Sequence, residues 1–135
     1  MYDEAAIAEH KTFLEEVLGF PERPVLEPVP LGEAAVPEPA IEPPEHLAGC
    51  CTTDRGARAR HTYGMAPPEN IRAFHGDFSP APDVVARPRT EDEVAALLAW
   101  ATEANVAVNP VTGGTGVAGG TGPPEGADRS GYAGT

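Results

Sequence analysis

The clearest pattern of apolar and polar positions lies between Pro82 and Pro110. Asp83 to Pro88 places Val84 and Val85 in a short run closed by proline, which predicts a strand. Thr90 and Glu93 then have the spacing of a reciprocal helix cap, and Glu91 and Asp92 add carboxylates at the positive end of the helix dipole. Val94, Leu97, Leu98 and Ala101 follow the i, i+3, i+4, i+7 rule, so they form one apolar stripe on a helix ending near Ala104 and Asn105. Val106 to Asn109 reads as a second short strand, and strand, helix, strand in this order predicts a right-handed βαβ unit with parallel strands.

A second helical pattern runs from about Asp3 to Leu18. Ile7, Phe13, Leu14, Val17 and Leu18 gather on one side, and Gly19 and Pro21 stop it. Pro21 to Pro44 carries eight prolines and follows neither period. Proline fixes φ and removes donors, so this stretch reads as an extended arm, with Val25, Leu26, Val29, Leu31 and Ile41 able to lie along a surface. His46 to Gly64 is mixed and locally basic, with a short strand or turn expected. The organisation predicted is a helix over 1–20, a proline-rich arm over 21–45, a folded segment over 46–122 and an irregular tail over 123–135. The fold class is α+β.

Composition narrows the function classes. Sixteen prolines and fifteen glycines in 135 residues leave only part of the chain able to build a core. The net charge of −12, with Lys11 as the single lysine, repels phosphate backbones and anionic lipid heads. Nucleic acid is therefore not an expected partner. The same acidity suits a high-salt cytoplasm. No apolar run approaches the ~20 residues of a membrane span and no leader pattern opens the chain, so a cytoplasmic protein is expected. Cys50 and Cys51 are adjacent, which is neither a disulfide framework nor a zinc pattern, and they are read as two reduced thiols.

After the second strand comes a loop from Pro110 to Gly120 that is rich in glycine. Glycine lets backbone approach a ligand, and successive amides can converge on phosphate oxygens. A flexible linker is the plain alternative. An ATP-type P-loop is excluded because no lysine and hydroxyl pair follows. Gly114, Gly116 and Gly119 formally match the dinucleotide fingerprint of an NAD-binding domain. That motif must open a helix, yet Gly122, Pro123 and Pro124 follow.

The residues from Pro82 to Gly120 together resemble the start of the FAD-binding domain of the FAD-linked oxidase family, the p-cresol methylhydroxylase and vanillyl-alcohol oxidase type. Pro82, Asp83, Val84, Val85 and Pro88 match the first strand. Glu91 to Val94 match the helix start. Pro110, Gly113, Gly114, Thr115, Gly119 and Gly120 match the loop. Arg60, His61, Gly64, Ile71, Gly76, Phe78 and Asp83 extend the likeness towards the alkyldihydroxyacetonephosphate synthase-like branch. D-lactate and glycolate dehydrogenases, which act on 2-hydroxy acids, share the loop. The resemblance implies FAD as cofactor. Its diphosphate would be held by Val111, Thr112, Gly113, Gly114, Thr115, Gly116 and Val117, with Gly119 and Gly120 shaping the turn. Thr112 stands where the family has a glycine, and Gly116 where it has a serine.

The family's acid and base residues lie in a substrate domain without counterpart in this sequence. The resemblance therefore implies no catalytic residue here, and a complementary chain carrying the rest of the flavoprotein is one expected partner. A non-catalytic docking subunit or truncated piece is the other reading. His61 and His75 are the histidines nearest the motif and are expected to be structural. Arg55, Arg58 and Arg60 are expected to balance acidic surface, and Tyr63, Phe74 and Trp100 to pack in the core.

Overall fold

The computed structural model describes residues 3–21, 24 and 26–118. Its elements in chain order are helix α1 (Glu4–Glu16), a 3-10 turn (Glu45–Leu47), strand β1 (Cys51–Thr52), helix α2 (Arg55–Arg60), helix α3 (Pro67–Phe74), strand β2 (Val85–Ala86) and helix α4 (Glu91–Glu103).

The helices start and stop for local reasons. The Asp3 side chain accepts the Ala6 amide at 2.8 Å, and Gly19, at φ +68, lets the Phe20 amide reach back to Leu14. Asp54 caps α2 by accepting from the Ala57 amide at 2.7 Å. In α3 the first position is proline, whose missing N–H costs nothing there. Glu69 reaches back to the amides of Gly64 and Ala66 at 3.0 and 3.2 Å. Thr90 accepts from the Glu93 amide at 3.2 Å, as the cap spacing predicts. At the far end of α4, Asn105 takes φ 54 and the Val106 amide donates back to the Ala101 carbonyl at 2.8 Å. This is the left-handed helix stop that asparagine tolerates.

The strand expected after Pro82 is present as β2, and its partner lies in the segment where a short strand or turn is expected. The β2 strand pairs antiparallel with β1, with Cys51 opposite Ala86 and Thr52 opposite Val85. Val106–Asn109 shows one bridge residue at Val106 and is otherwise coil, so the parallel βαβ unit is not formed among the described residues.

The core sits where proline-rich sequence meets the middle of the chain. Ala34, Val36, Ala59 and Ala81 are buried together, with Val29 and Phe78 packed against them. The arm is held there by backbone bonds. The Val29 amide donates to Phe74, the Ala35 amide to Gly76 at 2.7 Å, and the Phe78 amide back to Ala35 at 3.0 Å. The arm therefore lies along its own chain, in a single parallel bridge between Ala35 and Asp77. The Asp83 carboxylate adds a long-range tie by accepting from the Ala40 amide at 2.8 Å.

The two apolar stripes are covered unequally. No residue of α1 is buried, and Phe13, Leu14, Val17 and Leu18 are all exposed. On α4 only Ala101 is buried, whereas Val94 and Leu98 remain 42% and 48% exposed. The helix rests on the 3-10 turn, where Leu47 is buried.

Candidate flavin-binding loop

Helix α4 and its asparagine stop deliver the chain to Pro110 and into the glycine-rich loop. Of the residues expected to hold a diphosphate, Val111, Thr112, Gly113, Thr115, Gly116 and Val117 are exposed and Gly114 is half-buried. Gly119 and Gly120 lie outside the described residues, as does the tail over 123–135.

Among the described residues of the loop, Gly114 alone has positive φ, at +65. That is the left-handed region in which a Cβ is strained. Thr112 is not in that region, so threonine in place of the family's glycine fits the backbone without strain. A Cβ at Gly113 would meet nothing nearer than Thr115 Oγ1 at 3.7 Å, and one at Gly114 would meet nothing within 4 Å. The space above both α-carbons is thus open.

Among the described residues, one backbone bond ties the loop to the body. The Met65 amide, just ahead of α3, donates to the Gly116 carbonyl at 2.7 Å. The amides of Thr112 to Val117 donate to no backbone carbonyl among the described residues. Pro110 to Ala118 contains no charged residue. A neutral, glycine-containing turn with unpaired amides is chemically suited to an anion, because the donors are available and no carboxylate opposes it. The donor set therefore fits the diphosphate of FAD. The described residues place no strand beside Gly113, so the loop stands in solvent and a cleft is not formed by them alone.

The other candidates have structural partners. His61 donates from Nδ1 to the Ala57 carbonyl at 2.8 Å, and His75 lies edge-on to Phe74 with ring centroids 5.6 Å apart. Arg55 donates to the carbonyls of Leu31 and Ala34, fastening the arm to α2. Arg58 is buried, with Nε donating to the Pro82 carbonyl at 2.6 Å and Nη2 left without a hydrogen-bond partner. These two arginines act as staples, not as a surface counterweight to acid. Tyr63 stacks obliquely on Phe78 at 5.9 Å. Its hydroxyl is buried and has no partner of good hydrogen-bond geometry. Burial, then Asp77, raise its pKa, while Arg72 opposes them. Arg72 is thus an electrostatic neighbour of this hydroxyl. Trp100 is half-buried on α4. Among the described residues no three His, Cys, Asp or Glu side chains converge on a metal position.

Residues 82–127 match the family described as FAD binding domain. The matched stretch runs from β2 through the glycine loop, so this part of the chain is similar to an FAD-binding domain. Over 66 residues, 49% of this chain, the sequence is 35% identical to alkyldihydroxyacetonephosphate synthase of Dictyostelium discoideum. The fold is similar to a solved alkyldihydroxyacetonephosphate synthase in P212121, with TM-score 0.65 and 27% identity over 75% of this chain. It is likewise similar to one in P1, with TM-score 0.62 and 27% identity over 69% of this chain. The chain spans 11% of the length of the Dictyostelium relative and 20% and 19% of the two solved chains. No helix among the described residues is long and apolar enough to cross a membrane.

Proposed function

We propose that this chain supplies the diphosphate-holding part of an FAD site in an FAD-dependent oxidoreductase of the alkyldihydroxyacetonephosphate synthase type. The observation that carries the reading is the turn at Gly113 and Gly114. It has one positive φ, open space above both α-carbons and amides without a backbone acceptor among the described residues, and it lies inside the stretch that matches an FAD-binding domain. The amides of Val111 to Val117 would hold the diphosphate, Thr115 would add a hydroxyl donor, and Gly119 and Gly120 would shape the far side of the turn. Bound FAD supplies two-electron redox chemistry, and the protein's part is to fix and orient it.

The rest of the site comes from elsewhere. The exposed Val94 and Leu98 on α4 and the solvent-facing loop both require a neighbouring wall. A complementary chain or segment, corresponding to the part of the relatives that this sequence does not span, would provide it. No residue of this chain is assigned acid or base chemistry in that enzyme. The NAD alternative has less support, because residues 113–118 contain no helical residue where the fingerprint requires one to begin.

The test is reconstitution. The chain is mixed with the remaining flavin and substrate segments of a synthase-type flavoprotein and with FAD. Flavin absorbance should co-elute with the assembled protein. Assembly of the two proteins with FAD eluting separately would contradict the reading.

A further inference from the structure

Cys50 and Cys51 are not used by the flavin loop, and their geometry separates two possible chemistries. Their sulfurs lie 4.0 Å apart, both side chains are half-buried, and Cys50 Sγ donates to the Leu47 carbonyl at 3.4 Å. The pair sits where the turn after Leu47 enters β1, and the two sulfurs approach despite being neighbours in sequence. A disulfide is the first chemistry to consider. Its α-carbons normally stand about 4.4 to 6.8 Å apart, whereas consecutive residues across a trans peptide are held at about 3.8 Å. Closing the bond therefore needs distortion of the peptide between them. Chelation does not. With a thiolate–metal bond of about 2.3 Å, a sulfur separation of 4.0 Å gives an S–M–S angle of about 120°, which is trigonal.

The ligand count does not suit a structural zinc ion. A structural zinc ion takes four ligands, and among the described residues no third His, Cys, Asp or Glu joins the pair. Two soft sulfurs with an open third position suit a soft monovalent ion. We propose that Cys50 and Cys51 form a chelating site for copper(I), bound by both sulfurs, with a small-molecule thiol as third ligand on the half-exposed side. Three S–H bonds, two of the protein and one of the small thiol, are broken and three S–Cu bonds formed. The protons go to solvent and no electron is transferred.

The state of the free pair is consistent with this. Burial, with Cys50 as neighbour, pushes the Cys51 thiol up to about 11, so little thiolate is present at neutral pH. Oxidation and alkylation both proceed through the thiolate and are slow for such a thiol, which keeps Cys51 reduced. A metal ion displaces the proton directly, so uptake releases acid.

The experiment titrates the reduced, full chain anaerobically with copper(I), in glutathione, against a colorimetric copper(I) chelator. The expected result is one equivalent withdrawn from the chelator, a sulfur-only shell by X-ray absorption, and at least tenfold weaker competition in Cys50→Ser and in Cys51→Ser. Failure to withdraw copper, or a single variant that competes as well as the unsubstituted chain, overturns the site. A second measurement needs no variant: stoichiometric copper(I) should protect both cysteines from iodoacetamide together. Labelling of either at an unchanged rate overturns it equally.

Discussion

Gly76 and Val29 are packed so closely that a Cβ on Gly76 would stand 2.8 Å from Val29 Cγ1. Gly76 also has φ +73, and its carbonyl accepts from the Ala35 amide. One glycine thus joins the proline-rich arm to the end of α3. Gly76→Ala should destabilise the chain by roughly 2 to 4 kcal/mol, the sum of left-handed strain and overpacking. Val29→Ala made in the same chain should recover part of that loss, because the nearest clash is with Val29 itself. Thermal or denaturant unfolding of the single and double variants measures both. A cost for Gly76→Ala below about 0.5 kcal/mol, within ordinary surface variation, would show that the arm does not press on this position.

Arg58 is a buried cation with one satisfied and one unsatisfied nitrogen. Truncating it to alanine removes the tie to Pro82 and opens a hole beside the core, at a cost of about 3 kcal/mol. Methionine fills much of the space and leaves no buried charge, so Arg58→Met should cost at least about 1 kcal/mol less than Arg58→Ala. The two midpoints in urea decide this. Equal losses would mean that the charge, not the packing, is what α2 requires.

Asp77 follows directly on Gly76, and its carboxylate accepts from the Ser79 amide at 3.0 Å. That backbone bond, followed by the Ser79 hydroxyl, holds its pKa below the usual 3.8. A depressed carboxyl stabilises the folded state at pH above 3.8, and this contribution fades as pH falls from 3.8 through the lower folded value. Asp77→Asn should therefore lower stability at neutral pH and converge with the unsubstituted chain in strong acid. The group is largely exposed, so the difference is small. Acid titrations of stability for the two chains test the convergence.

How much of this was legible in the sequence depends on the range of the interaction. Thr90, Glu93 and Asn105 act on amides within a few residues, and the sequence locates both ends of α4 through them. The caps of α2 and α3 are equally local, yet the helices are short, and Asp54 and the Pro67-Pro68-Glu69 start were the signals available for them. The arm misleads for a different reason. Its prolines remove periodicity, so the burial of Ala34 and Val36 depends on long-range bonds to Gly76 and Phe78 that no local pattern announces. The second strand is a long-range matter too, because Val106 to Asn109 can pair only with residues distant in sequence. In the loop, the glycines announce a turn, but the position of the positive φ at Gly114 is set by the path between Pro110 and the Met65 contact.

Gly114 separates folding from binding. Its side is open, so Gly114→Ala should cost the free chain only the strain of its φ, about 1 to 2 kcal/mol or less where the exposed loop relaxes. In the reconstituted flavoprotein the same change alters the aim of the amides at the diphosphate, and FAD affinity should fall by about tenfold or more, as loss of a charge-assisted hydrogen bond implies. Isothermal titration with FAD, beside an unfolding curve of the free chain, gives both quantities. Unchanged affinity would move the diphosphate away from this turn.

The most direct measurement is amide NMR of the nitrogen-15-labelled chain, assembled with the unlabelled remainder of a synthase-type flavoprotein and titrated with FAD. The account predicts that the largest shifts fall on Gly113, Gly114, Thr115 and Gly116, and that ADP, which carries the same diphosphate, shifts the same amides. Saturation with FAD that leaves those four signals in place would contradict it.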